Sequence, residues 1–218
     1  MLFPPGRFDG GAVERAPQEF FDRVPPTARR YICLDFETNG FPTRGAERRD
    51  WPLPFSSFPI QISVDIVEEG GEAFHALDTT IHGATNFAPW VREHVPITLE
   101  QVRDGKALEE VIADLAELIQ EGDTLVAHNV HFDLVQVLAR TVTRLGITSD
   151  ASEKVLAAPR FCTMRCAYSA SVFPKWPSLA DLCQHFGVAL EGAHDARADS
   201  AALAACVAAA HAKGVMLM

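Results

Sequence analysis

Tyr31-Ile32-Cys33-Leu34-Asp35-Phe36-Glu37-Thr38-Asn39-Gly40 is the stretch whose reading decides the fold. It opens as an apolar run with β-branched and aromatic residues, the pattern of a buried strand. It closes on Thr38-Asn39-Gly40, a turn signal. Side chains alternate across a strand, so Asp35 and Glu37 leave one face while Leu34 and Phe36 occupy the other. Two neighbouring carboxylates at the end of an apolar strand repel each other and are costly to desolvate. Two readings are open at this point: the strand end reaches solvent, or a hard divalent cation holds the pair. Acids arriving from elsewhere in the chain decide between them.

With 218 residues the chain is long enough for one well-buried α/β domain. With 48% hydrophobic and 22% charged residues it has a globular balance, which excludes a disordered protein. The five cysteines (Cys33, Cys162, Cys166, Cys183 and Cys206) form no C-x-x-C pair and are odd in number. Zinc-ribbon and disulfide-framework readings fail on that count, and a reducing, intracellular setting is expected, its compartment unspecified. No apolar run reaches membrane-spanning length, and no membrane partner is expected. A net charge of −10 opposes coating of long duplex nucleic acid but allows a grip on a few nucleotides at a strand end.

Residues 1–28, rich in Pro, Gly and Arg, read as a flexible leader ahead of a domain over 29–218. Phe20 and Phe21 within it are assigned to local packing against the domain, with a partner anchor as the alternative. The loop from Phe41 to Pro59 carries Arg44, Arg48 and Arg49, either a solvated face or a phosphate clamp. Ile60 to Val67 alternates as a half-buried strand, Glu69-Gly70-Gly71 turns the chain, and Ala73 to Leu77 forms a third strand, giving a meander.

From Thr98 to Gln120 the pattern is helical, with Leu108, Val111, Ile112, Leu115, Leu118 and Ile119 on one face and Gly122 as the stop. Thr124 to Ala127 is a short buried strand running into His128-Asn129-Val130-His131-Phe132-Asp133, which places Asp133 in the first turn of the next helix. An acid there also suits the helix dipole. His128 and Asn129 are assigned to the turn. Cys162 and Cys166 at i,i+4 are assigned to core packing. Ser178 with Asp181 has the form of a capping box for a helix ending at Gly187. Asp195 is the N-cap of an Ala-rich final helix, with His194 and Asp199 at the two positions of a helix-start staple, so an imidazole is expected beside a carboxylate.

Asp35, Glu37, Asp133 and Asp199 thus all fall at element ends, with His194 beside the last. Carboxylates with this placement suit Mg²⁺, and a histidine titrating near neutrality suits proton transfer. The motifs L-D-F-E-T-N-G, H-N-V-H-F-D and H-D-A-R-A-D, in this order, resemble the three exonuclease motifs of the DnaQ-like, DEDDh-type 3′–5′ exonucleases. The resemblance runs from Tyr31 to the C-terminus.

It implies a ribonuclease-H-like α/β fold, a mixed five-stranded sheet flanked by helices. By the same resemblance, Asp35, Glu37, Asp133 and Asp199 ligate two Mg²⁺ or Mn²⁺ ions and His194 is the general base. Thr38, Asn39 and Phe132 would lie against the terminal nucleotide. The loop from Phe41 to Pro59 lies outside the family pattern, with Arg44, Arg48 and Arg49 as candidate substrate contacts that would alter substrate choice. The implied activity is hydrolysis at the 3′ end of single-stranded DNA or RNA, releasing nucleoside 5′-monophosphates. A polymerase or other protein is an expected partner for the leader. The competing readings are a catalytically silent module that binds a nucleic-acid end or a polymerase, and a phosphoesterase acting on small nucleotides.

Overall fold

Alternation along the first strand sorts the core into two layers. In β1 (Tyr31–Thr38), Ile32, Leu34 and Phe36 enter one apolar cluster, while Cys33 enters a second on the opposite face. The computed structural model of the chain describes residues 30–41, 57–169, 173–192 and 194–213. The leader with Phe20 and Phe21, and the loop arginines Arg44, Arg48 and Arg49, lie outside the described residues.

The other strands are β2 (Pro59–Val67), β3 (Ala73–Thr80), β4 (Thr124–Ala127) and β5 (Arg160–Cys162). Their order in the sheet is β3-β2-β1-β4-β5. The first three strands form an antiparallel meander, and β4 and β5 add in parallel on the other side of β1. This is the expected mixed five-stranded sheet with helices on both faces. Parallel alignment brings the C-terminal ends of β1, β4 and β5 to one edge, the edge where the acids cluster.

Three expectations change in detail. First, β2 is buried on both faces rather than half-buried. Ile60, Ile62, Val64 and Ile66 enter the first cluster. Ser63 and Asp65, on the other face, are covered by helix α8 (Ala196–Ala212), whose Ser200 hydroxyl donates to Asp65 Oδ2 at 2.6 Å and lies 2.9 Å from Ser63 Oγ. Their polarity marks a hydrogen-bonded layer, not a solvent face.

Second, the helical stretch after Thr98 is two helices, α2 (Leu99–Arg103) and α3 (Leu108–Leu118), preceded by a short helix α1 (Pro89–His94). The break falls where Gly105 touches the end of β3. A Cβ there would lie 2.7 Å from the Thr80 carbonyl, and Lys106 N–H donates to Thr80 O at 3.0 Å. That close approach admits only glycine.

Third, the helix carrying Asp133 begins as a π-helical segment, His131–Ala139, before continuing as α4 (Arg140–Leu145). A wider turn carries one more residue per turn than the apolar period reveals, and such segments concentrate at functional sites.

The second face of the sheet is closed by α7 (Leu179–Phe186) and α8, with Leu182, Cys183, Leu203, Cys206 and Val207 packing on Cys33, Val67 and Val126. Helices α5 (Asp150–Ala157) and α6 (Thr163–Ser169) flank β5 in the chain. The capping box at Ser178 is present: Asp181 N–H donates to Ser178 Oγ at 3.1 Å and Ser178 N–H to Asp181 Oδ2 at 2.9 Å. Gly187 ends α7 in the left-handed region. Among the described residues, no helix is long and apolar enough to cross a membrane.

Candidate active site

Odd-numbered residues of β1 face α8, so Asp35 and Glu37 project toward the helix that carries Asp199. Carboxylate oxygens of Asp35, Glu37 and Asp199 lie within 4.8 Å of one another. Asp133 is buried in the first turn of the π-helical segment, and its Oδ1 accepts from Phe36 N–H at 3.4 Å. This contact ties it to the strand between the two β1 acids. The acids therefore converge from three separate elements.

The start of α8 is fixed by its cap and by the sheet. Asp195 Oδ1 accepts from Arg197 N–H at 3.1 Å, satisfying one of the free helix-start donors. The Gln61 side chain on β2 donates to Asp195 Oδ1 at 3.3 Å and to Asp78 Oδ1 at 2.9 Å, and its own oxygen accepts from Ala196 N–H at 3.3 Å. Gln61 thus clamps the N-terminus of α8, and with it Asp199, to the sheet. Its polar side chain inside a strand was the available sequence signal, but its partners are far along the chain.

Burial and mutual repulsion act together on the four acids. Burial first, then the charges of Asp133, Glu37 and Asp199, push Asp35 well above the usual carboxylate range. The same causes raise Glu37 to about 8, with Asp199 its strongest charged neighbour. Asp133 is raised to about 7 by burial, opposed by the Phe36 hydrogen bond. Asp199 is raised to about 6 by burial, opposed by the hydrogen bond from His194. Such a set, offering only carboxyl oxygens, fits hard divalent cations, which would replace the protons these groups otherwise retain.

His194 departs from the expected staple. Its main-chain N–H, not its imidazole, meets the carboxylate, donating to Asp199 Oδ2 at 3.3 Å. Its backbone adopts φ 71°, a left-handed conformation uncommon outside glycine, and such strain concentrates at functional sites. The imidazole instead packs edge-on against Trp90, with ring centroids 5.0 Å apart. His94, one turn along α1, stacks on Trp90 at 4.5 Å with planes 7° apart. Burial is the main cause holding the His194 pKa below the ordinary imidazole value.

Trp90 and His94 were not singled out in the sequence. Their i,i+4 spacing was visible, but the short helix that carries them has only one buried residue, Val91, and gives little periodicity. Phe41 joins the same wall, 5.4 Å from Trp90 and 6.5 Å from Phe132 between ring centroids.

Thr38 and Asn39 lie at the mouth of β1 with their side chains engaged internally. Thr38 Oγ1 donates to Gly40 O at 2.9 Å, and Asn39 Oδ1 accepts from Phe58 N–H at 3.0 Å. Both residues are buried. His128 serves its turn: its ring nitrogens meet Thr163 Oγ1 at 2.9 Å and Pro177 O at 3.0 Å, and burial pushes its pKa down to about 4. A neutral ring must donate from Nε2 to the Pro177 carbonyl, so Nδ1 accepts from Thr163. Asn129 accepts from Phe132 N–H at 3.3 Å, holding the entry to the π-helical segment.

The exonuclease family model named RNase_T matches residues 32–207. A search of curated proteins finds no significant match. Among solved structures, a 3′-exonuclease studied for 3′-end recognition of the histone mRNA stem-loop superposes with a TM-score of 0.67 at 15% identity, covering 86% of this chain and 84% of that one. Exonuclease I of E. coli bound to a dA16 oligonucleotide gives a TM-score of 0.63 at 17% identity, over 86% of this chain and 42% of the other. Cell-death related nuclease 4 gives 0.61 at 16% identity, over 85% and 64%. At these identities the solved structures speak to the fold, and this chain spans less than half of exonuclease I. The family match covers most of the chain and includes the three motifs that carry the acids and His194, so the chain belongs to the exonuclease family, in its DnaQ-like, DEDDh-type branch.

Proposed function

We propose that this chain hydrolyses the terminal phosphodiester bond at the 3′ end of single-stranded DNA or RNA and releases nucleoside 5′-monophosphates. The observation that carries the reading is the convergence of Asp35, Glu37 and Asp199 within 4.8 Å, with Asp133 hydrogen-bonded into β1 beside them. In this reading the four acids hold two divalent cations, Mg²⁺ or Mn²⁺. Such cations, when bound, supply charge neutralisation and acidify water at a phosphoryl centre.

The chain's own residues do the rest. A ring nitrogen of His194, kept neutral by its lowered pKa, takes a proton from the attacking water. The water oxygen bonds to phosphorus as the bond from phosphorus to the 3′ oxygen of the preceding nucleotide breaks; that oxygen takes a proton from solvent, and the imidazolium of His194 returns its proton to solvent. Phe41, Trp90 and Phe132 form an aromatic wall suited to the terminal base. Because the Thr38 and Asn39 side chains are engaged internally, contact from this turn is assigned to its backbone. Arg44, Arg48 and Arg49 are kept as phosphate contacts. One solved neighbour was studied with an mRNA stem-loop and another with a DNA oligonucleotide, which favours neither sugar for this chain.

The test uses purified protein, Mg²⁺ and 5′-labelled single-stranded DNA and RNA of matched sequence, with a circular single strand as control. Stepwise shortening of the linear strands with the circle intact is the expected result. Rapid internal cutting of the circle would overturn the proposal.

A further inference from the structure

Tyr168 and Trp176 are 41% and 53% exposed, two of the largest exposed apolar side chains among the described residues. They are not scattered. Their rings stack with centroids 4.8 Å apart and planes 15° apart. Tyr168 lies near the end of α6, and Trp176 lies in the segment leading to α7, so two elements build one surface feature.

The segment beneath Trp176 is anchored. Pro177 is flanked by Ser178, the capping-box residue of α7, and its carbonyl accepts from His128 Nε2 at 3.0 Å. His128 in turn is tied to α6 through Thr163 Oγ1 at 2.9 Å and through its carbonyl, which accepts from Met164 N–H at 3.1 Å. His128 directly follows β4 and opens the segment that carries Asp133. The aromatic pair is therefore held to the edge of the sheet where the acids converge. Neither ring takes part in the catalytic arrangement.

We infer that Tyr168 and Trp176 form a stacking platform for nucleotides upstream of the 3′ terminus, a second subsite outside the catalytic cluster. The inference rests on the exonuclease reading above. A single strand entering the acid cluster by its 3′ end must leave across this surface or another, and its bases present flat π faces. A preformed, exposed aromatic stack matches those faces without regard to sequence and loses little freedom on binding. Lys175, exposed between Pro174 and Trp176, supplies one cation for a phosphate. In a chain of net charge −10, phosphate attraction alone is a weak source of grip, which gives stacking a larger share.

The experiment compares wild type, Trp176→Ala, Trp176→Phe and Tyr168→Ala of the full chain on single-stranded oligomers of two and eight nucleotides. Turnover is measured with Mg²⁺ and equilibrium binding of a labelled octamer with Ca²⁺. Loss of one stacking partner is expected to weaken octamer binding and raise its KM by about 5- to 100-fold, with kcat little changed. Dinucleotide kcat/KM should stay at the wild-type level, and Trp176→Phe should restore most of the octamer affinity.

Octamer binding that Trp176→Ala leaves unchanged would overturn the platform. So would an equal loss on the dinucleotide, which would place the effect in the catalytic site or the fold. A wild type that binds the octamer through Trp176 yet hydrolyses nothing would keep the platform and sink the exonuclease reading instead.

Discussion

The imidazole of His194 packs edge-on against the indole of Trp90, ring centroids 5.0 Å apart, while the His194 main-chain N–H donates to Asp199 at 3.3 Å. One residue is thus held at two points, by its backbone to an acid of the cluster and by its ring to an aromatic wall. That division assigns orientation of the imidazole to α1 and placement of the backbone to α8.

Trp90→Ala removes the ring contact and leaves the acids untouched. Turnover should fall by about 10- to 100-fold, the cost of a misplaced catalytic group. Mn²⁺ affinity should stay within error of wild type, and Trp90→Phe should recover part of the rate. Steady-state kinetics with a dinucleotide isolates the effect from longer-range contacts. A wild-type kcat in Trp90→Ala would remove Trp90 from the orienting role.

The acids predict how the metal-free protein responds to pH. Asp199, Asp133 and Glu37 are raised to about 6, about 7 and about 8, so the folded state retains protons that the unfolded chain has already released. Their stabilising protonation is therefore lost as pH rises through this window. Unfolded histidines are still half-protonated near pH 6.5, so the depressed pKa values of His128, His131 and His194 oppose this trend at the lower end and cease to contribute above about pH 7.5. In EDTA, Tm should fall between pH 6.5 and 8, and excess Mg²⁺ should raise it most at the upper end. A Tm that is flat or rising in EDTA would contradict the repulsive cluster.

Much of this site was legible in the sequence because its acids obey local rules. Strand alternation placed Asp35 with Glu37 on one face, the strand-to-helix junction placed Asp133, and the helix-start pattern around Asp195 placed Asp199. Gln61 was not legible, because its partners Asp78, Asp195 and Ala196 come from another strand and a distant helix. The burial of β2 was misread for a related reason: Ser63 and Asp65 look like a solvent face until Ser200 arrives from the far end of the chain. The orientation of the His194 ring was likewise set by a tertiary neighbour, Trp90, and not by the spacing to Asp199.

Arg30 and Asp123 form a two-point ion pair, with Nε to Oδ1 at 3.1 Å and Nη2 to Oδ2 at 2.6 Å, joining the entry of β1 to the turn before β4. Asp123 is almost wholly buried. Arg30→Ala would leave that carboxylate unpaired and should cost about 3 kcal/mol of stability in urea titration, the scale for breaking a buried pair. A loss below about 1 kcal/mol would rank it with ordinary surface pairs.

Metal identity has its own readout. EDTA should abolish activity, and Mg²⁺ or Mn²⁺ should restore it. Ca²⁺ should bind but support little turnover, because its looser coordination positions water poorly. Full activity after exhaustive chelation would remove the cations from the account.

The central claim is that the acids hold metal while His194 moves a proton, and one paired measurement separates the two. Mn²⁺ binding and turnover are measured side by side in wild type, His194→Ala and Asp199→Asn. His194→Ala should bind Mn²⁺ nearly as wild type does while its rate falls by about 10²–10⁴, the worth of a positioned base. Asp199→Asn should lose Mn²⁺ affinity together with rate. Near-wild-type turnover in His194→Ala, or an Mn²⁺ affinity lost as fully as in Asp199→Asn, would contradict the division of roles.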